Sequence, residues 1–378
     1  MPLIAAGTVV LEQGICHPGW VQTMDAAITG CGAGAPPRTP DVDLPDGLVV
    51  PGFVDIHVHG GGGASYLTGD AAEVLRAADF HRRHGTTTTL ASLVTASPAD
   101  LLAAVRGLAD ATRDGVIAGI HLEGPWLSAA HCGAHDRAQM RDATATEIDA
   151  LLTAADGAIR MVTLAPERPG SDDAIRRLID AGVVVALGHT DGTYDLTRHA
   201  IGLGATLATH LFNAMRTLHH REPGPALALL EDQGVTVELI ADGVHVHPAM
   251  VQAAIATAGA DRVALVTDAT AAAGLPDGEF ALGSVPVDVV DGVARVRGTS
   301  TIAGSTATMD RLFATTAGFG PDRDAALLAA VTMSSTTPAR AVGLDTGLRV
   351  GGRANLVVLE HDMTVHRVLA HGDWVGET

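Results

Sequence analysis

From residue 48 to about residue 335, short apolar, β-branched runs alternate with longer stretches rich in Ala, Leu, Arg and Asp at helical spacing. The pattern predicts strands near 48–59, 86–94, 116–124, 159–166, 183–190, 205–212, 236–246 and 263–269. It predicts helices near 70–84, 98–112, 144–155, 171–181, 192–202, 248–259, 304–317 and 323–333. Strands that are apolar on both faces and separated by helical crossovers pair in parallel. Eight of them close most economically into a (β/α)8 TIM-type barrel, which makes this an α/β chain. A doubly wound open sheet would call for a Gly-rich phosphate turn after the first strand, and none is present. Residues 1–47 and 345–378 break the pattern with short strand-like pieces, Gly7–Leu11, Asn355–Leu359 and Thr364–Ala370. Neither end could bury a core alone. Both ends are therefore expected to form one small β-sandwich domain, with the barrel spanning 48–344.

The first barrel run ends in PGFVDIHVHG, followed by Gly61–Gly63. Alternate side chains of a strand share a face, so His57 and His59 point the same way at its C-terminal end. That is half of a metal site at the face where a barrel places its chemistry. Further polar residues end other apolar runs: Glu123, His189, His210, Asp242, His245 and Asp268. Burying each without a partner would cost several kcal/mol, whereas one shared divalent cation compensates them together. Imidazole and carboxylate without thiolate suit Zn²⁺ or another first-row divalent ion at a catalytic centre. Asp268 ends the last strand, where a carboxylate can take a proton from activated water and return it to a leaving group. No GxSxG turn offers a rival nucleophile, and Cys132 lies in a polar loop.

Composition narrows the classes. All 24 Lys+Arg residues are arginine, which excludes Schiff-base chemistry, a P-loop and a carbamylated-lysine metal bridge. A net charge of −19 argues against nucleic acid and anionic membrane as partners. No apolar run approaches the ~20 residues that span a bilayer. The first residues carry no basic n-region, and three cysteines at Cys16, Cys31 and Cys132 form no framework, so a cytoplasmic setting is expected. Arg216, His219, His220 and Arg221 make a basic island just after His210 and suit an anion such as a phosphate.

In order, PGFVDIHVHG, HLEGPWLS with GAH beyond it, GHTDGTYD, THLFNAM, ADGVHVHP, VTDA and TIAGS span most of the chain. Together they resemble the amidohydrolase superfamily and, within it, the N-acetylglucosamine-6-phosphate deacetylase family. The resemblance implies metal-dependent hydrolysis of an N-acetyl group from a phosphorylated amino sugar, in amino-sugar catabolism and cell-wall recycling. It implies Glu123, His189 and His210 as principal ligands and Asp268 as acid/base. His57 and His59 are both kept, which leaves room for two ions bridged by Glu123, most simply Zn²⁺. Substrate contacts carried over are Ala134 through its backbone, His135, Asn213, Ala214, Arg221, His245 and Ile302, Ala303 and Gly304, with Asp242 beside His245. His135 is expected to help stabilise the oxyanion, and Ala129–His135 to act as a lid with Gly133 as hinge. The family is typically dimeric, so a homodimer is implied, with Arg221 acting across the interface or within one subunit. Two alternatives stand: another amide or aminopurine hydrolase on the same scaffold, or an inert metal-binding barrel.

Overall fold

The computed structural model describes residues 1–376; residues 377 and 378, the last two of the expected terminal β domain, lie outside the described residues. Eight parallel strands form one sheet: β1 (Phe53–Val58), β2 (Thr86–Leu93), β3 (Gly119–Glu123), β4 (Ile159–Leu164), β5 (Val184–Leu187), β6 (Leu207–Ala208), β7 (Thr236–Leu239) and β8 (Val263–Leu265). Helices follow at the expected places, among them Ala71–Arg83, Pro98–Arg113 and Ala145–Ala155. Each of these begins on a side chain that accepts helix N–H groups: Asp70, Ser97 and Thr144. Val54, Ile56, Leu90, Met161, Ala186, Leu207 and Ala264 form one buried cluster, and a larger cluster lies between strands and helices.

The first and last strands meet through a seam rather than a long ladder. The Asp268 N–H donates to His57 O at 2.8 Å, and the His59 N–H to Ala269 O at 2.8 Å. Beneath them the buried Asp55 carboxylate accepts from the Thr267 hydroxyl at 2.5 Å, and from the His57 and Thr267 N–H groups at 3.3 Å each. The β1–β2 ladder shifts register between Asp55 and Val58, the kind of irregularity that re-aims a strand-end side chain. The seam therefore brings both histidines and Asp268 to the same mouth.

Both chain ends contribute to a second sheet of eight strands, which includes Leu3–Leu11, Gly19–Met24, Val42–Pro51, Leu356–Leu359 and Val365–Ala370. The run expected as one strand over 48–59 is divided. Val42–Pro51 pairs in this terminal sheet, and Phe53–Val58 begins the barrel. Gly52 makes the break: a Cβ there would sit 2.2 Å from Thr87 Oγ1.

Several elements were not expected. Gly224–Glu231 is a helix, and Gly278–Leu282, Val285–Val290 and Val293–Val296 form a three-stranded antiparallel sheet over the barrel mouth. The second turn of that sheet is Asp291-Gly292, both at positive φ, which is the hairpin geometry such a dipeptide favours.

Replacing Thr267 with Val removes the hydroxyl donor to Asp55 at nearly constant volume. It should lower stability by about 1–3 kcal/mol, read as a reduced urea midpoint with an unchanged m-value.

Candidate metal and active site

Five imidazoles surround Glu123 at the strand ends. Glu123 Oε1 lies 3.0 Å from His189 Nε2, 3.0 Å from His210 Nε2 and 3.5 Å from His57 Nε2. Its Oε2 lies 3.2 Å from both His59 Nε2 and His135 Nε2. Asp268 Oδ1 sits 3.2 Å from His59 Nε2 and 3.6 Å from His57 Nε2. All of these residues are buried.

Two donor groups share Glu123: His57 with His59, and His189 with His210, the ligand atoms in each lying within 4.8 Å of one another. The far side of each ring decides whether a metal fits. His57 Nδ1 meets Glu238 Oε2 at 2.9 Å, His59 Nδ1 meets Ser92 O at 3.2 Å, and His189 Nδ1 meets His131 O at 2.8 Å. An oxygen acceptor at Nδ1 fixes the proton there and leaves the Nε2 lone pair facing the cavity, as in metal-ligating histidines. Consistent with this, His57 Nε2 is buried without a hydrogen-bond partner. The residues fit a divalent cation.

The electrostatics agree. Burial opposes charge on His57 and His59, but neighbouring carboxylates outweigh it. Glu123 and Glu238 hold His57 well above the usual imidazole value. Asp268 and Glu123 lift His59 to about 9. Burial likewise pushes Asp268 and Glu123 up, yet the surrounding imidazoles hold Glu123 well below its ordinary value and Asp268 at about 2. The cluster favours positive charge at its centre.

His135 differs. Its Nδ1 accepts the Thr95 N–H at 3.1 Å, so the neutral ring carries its proton on Nε2, facing the cavity. Burial lowers its pKa to about 4, which keeps it neutral at physiological pH.

His189, His210 and Asp268 all hold positive φ (47°, 26° and 49°), as does Ala214 at 50°. Such strain in non-glycine residues gathers where side-chain aim is over-determined.

The cavity measures about 390 Å³. Its walls hold His59, Glu123, Ala134, His135, His189, His210, Asn213, Ala214, His245, Asp268, Ile302 and Gly304, all foreseen from the sequence. His57 lies beneath the floor, and Ala303 is fully buried behind the wall. Asp242 stands in an adjoining cavity and bonds His245 Nδ1 at 2.7 Å, so it orients that ring. The Ile302–Gly304 segment is pinned where the Ser305 N–H donates to Asp268 O at 2.7 Å.

Arg221 is not brought to the cavity of its own chain; it is exposed and bonds His220. Arg216 spends its charge on Asp191, bonded at 3.0 and 3.1 Å. The basic island therefore offers Arg221 and two histidines rather than two free arginines. The expected lid holds a 3-10 turn, Ala129–His131, and its Gly133 takes φ +54°; a Cβ there would lie 3.0 Å from the His189 ring.

Sequence reasoning passed over Glu238 and His121. Glu238 bonds both His57 Nδ1 and the His210 N–H at 3.0 Å. His121 stands edge-on to His57 and bonds Ser92 and Thr163. A charged residue inside the apolar run VTVELI was the available signal for Glu238.

Comparison with known proteins now bears on this geometry. The Amidohydrolase family matches residues 48–375. The chain belongs to the amidohydrolase family. This amidohydrolase is 52% identical to an N-acetyl-D-glucosamine-6-phosphate deacetylase from Mycobacterium smegmatis, with a TM-score of 0.97 over 99% of this chain and all of that one. An N-acetylglucosamine-6-phosphate deacetylase from Thermotoga maritima is 30% identical, with a TM-score of 0.88 across the full length of both chains. An N-acetylgalactosamine-6-phosphate deacetylase from Escherichia coli O157:H7 is 37% identical over 336 residues, covering 86% of this chain and 87% of that protein. The expected barrel fold and family are borne out. Family and donor set together support a divalent metal. Among the described residues no helix is long and apolar enough to cross a membrane.

If Glu238 holds the His57 ring for the metal, Glu238→Gln should weaken metal affinity about 10–100-fold. Competition with a chromogenic chelator measures this directly.

Proposed function

We propose that the protein removes the acetyl group of N-acetyl-D-glucosamine 6-phosphate, yielding D-glucosamine 6-phosphate and acetate in amino-sugar catabolism and cell-wall recycling. One observation carries the reading. Asp268 stands beside an imidazole cluster centred on Glu123, in a cavity whose walls also hold Asn213, Ala214 and His245.

Glu123, His189 and His210 hold the principal divalent ion, with His57 and His59 available for a second. Zn²⁺ suits this ligand set best. The bound ion supplies Lewis acidity toward the acyl carbonyl and lowers the pKa of water toward about 7. Asp268, held anionic by its imidazole neighbours, accepts a proton from the attacking water. His135 donates its Nε2–H to the developing oxyanion. When the C–N bond breaks, Asp268 returns the proton to the departing amine, so water adds OH to the acetyl carbon and H to nitrogen. His245, oriented by Asp242, Asn213 and the Ala134, Ala214, Ile302 and Gly304 wall position the sugar, with Ala303 supporting that wall from behind.

The phosphate lies toward the basic loop. Arg221 is best placed to act from a second copy, in a homodimer, because its exposed side chain does not line the cavity of its own chain. The remaining architecture is assigned to match: residues 52–344 act as the hydrolytic barrel, with 1–51 and 345–376 as a supporting β domain in a cytoplasmic enzyme.

The galactosamine-type relative supports a second reading, the C4 epimer as substrate. Acetate release should favour N-acetylglucosamine 6-phosphate over both its C4 epimer and the unphosphorylated sugar. Equal rates with the unphosphorylated sugar would remove the phosphate subsite. Asp268→Asn should reduce kcat by about 10²–10⁴ with metal retained, and near-normal turnover would overturn its role. His135→Gln should lower kcat about 10²-fold or more with little change in KM, followed by steady-state assay.

A further inference from the structure

A second cavity, about 480 Å³, opens at the opposite end of the barrel from the catalytic mouth. It lies where the barrel meets the terminal sheet. The first residues of β2 (Thr87, Thr88 and Thr89) line it, as do Arg160 on β4, Arg353 and His371. Its volume falls within the range of small-molecule sites.

The charges here are uncompensated. Among the described residues neither Arg160 nor Arg353 has an ion-pair or side-chain hydrogen-bond partner, and the Arg160 Nε is buried without one. Asp345 lines the cavity but is committed to Arg349 at 2.5 Å. Arg82 stands close by, bonding Asp79 and the Val116 carbonyl. His371 reports the local field. Burial first, then Arg82 and Arg353, hold it below the usual imidazole value, against the opposing Asp373.

An electropositive hollow in a chain of net charge −19 calls for an anion. With lysine absent, planar guanidinium groups are the chain's best oxyanion partners, because they match a phosphate through paired N–H donors. A threonine hydroxyl on the cavity wall can donate to and accept from a polyol.

We propose that this cavity binds a small phosphomonoester of a polyol or sugar, its phosphate held by Arg160 and Arg353 and its hydroxyls by threonine side chains of the wall. Barrel enzymes place substrate at the other face, so this ligand is not turned over. It stabilises the junction between barrel and terminal sheet by binding the folded state. The proposal does not rest on the assigned reaction.

The test is calorimetric titration of the metal-loaded protein with glucose 6-phosphate, inorganic phosphate and glucose. The wild type should bind glucose 6-phosphate and, more weakly, phosphate, while glucose alone gives no signal. Arg160→Gln and Arg353→Gln should each weaken glucose 6-phosphate binding at least about tenfold, with deacetylation kinetics within twofold of wild type. Arg353 is exposed, so Arg353→Gln keeps the test sound if the other variant folds poorly. An isotherm unchanged by Arg353→Gln, or equal binding of glucose, would overturn the proposal. Loss of acetate release by the wild type would count against the assigned reaction alone.

Discussion

The structure turns on one buried carboxylate. Glu123 is the acid on which His57, His59, His135, His189 and His210 converge. Taking that many ionisable groups out of water is unfavourable unless positive charge sits among them. Protons on the rings are one answer, and the carboxylates favour them on His57 and His59; with Nδ1 anchored to Glu238, Ser92 and His131, the Nε2 positions turn inward, where a cation can replace the proton. A divalent cation satisfies the lone pairs and the carboxylate together.

The rest of the fold serves that convergence. The closed barrel delivers strand ends to one mouth, and the Asp55–Thr267 seam fixes the first strand against the last. Left-handed backbone at His189, His210 and Asp268 is strain that the surrounding hydrogen bonds hold in place. The inserted three-stranded sheet narrows the entrance, since Leu282 at the end of its first strand faces the catalytic cavity.

Much of this was legible in the chain. Helix limits held within a few residues because polar caps such as Asp70 and Ser97 mark them. The ligand set could be read because a histidine or acid ending an apolar run contradicts its surroundings unless it has work to do. Glu238 obeys the same logic but sits one step behind the ligands, inside its strand, where it passes for core. The division at Gly52 was hidden because two buried strands in series look like one long one. The sheet over 278–296 was hidden because its alternation is interrupted by Gly and Pro. The Arg216–Asp191 pair joins residues 25 apart, and only the folded loops reveal that this arginine is already engaged.

The most direct measurement is X-ray absorption at the metal edge, on active protein purified without added metal. The account predicts a stoichiometric first-row divalent ion in a shell of nitrogen and oxygen alone, with outer-shell scattering from imidazole rings. A sulfur shell, or full activity in protein that holds no such ion, would contradict it.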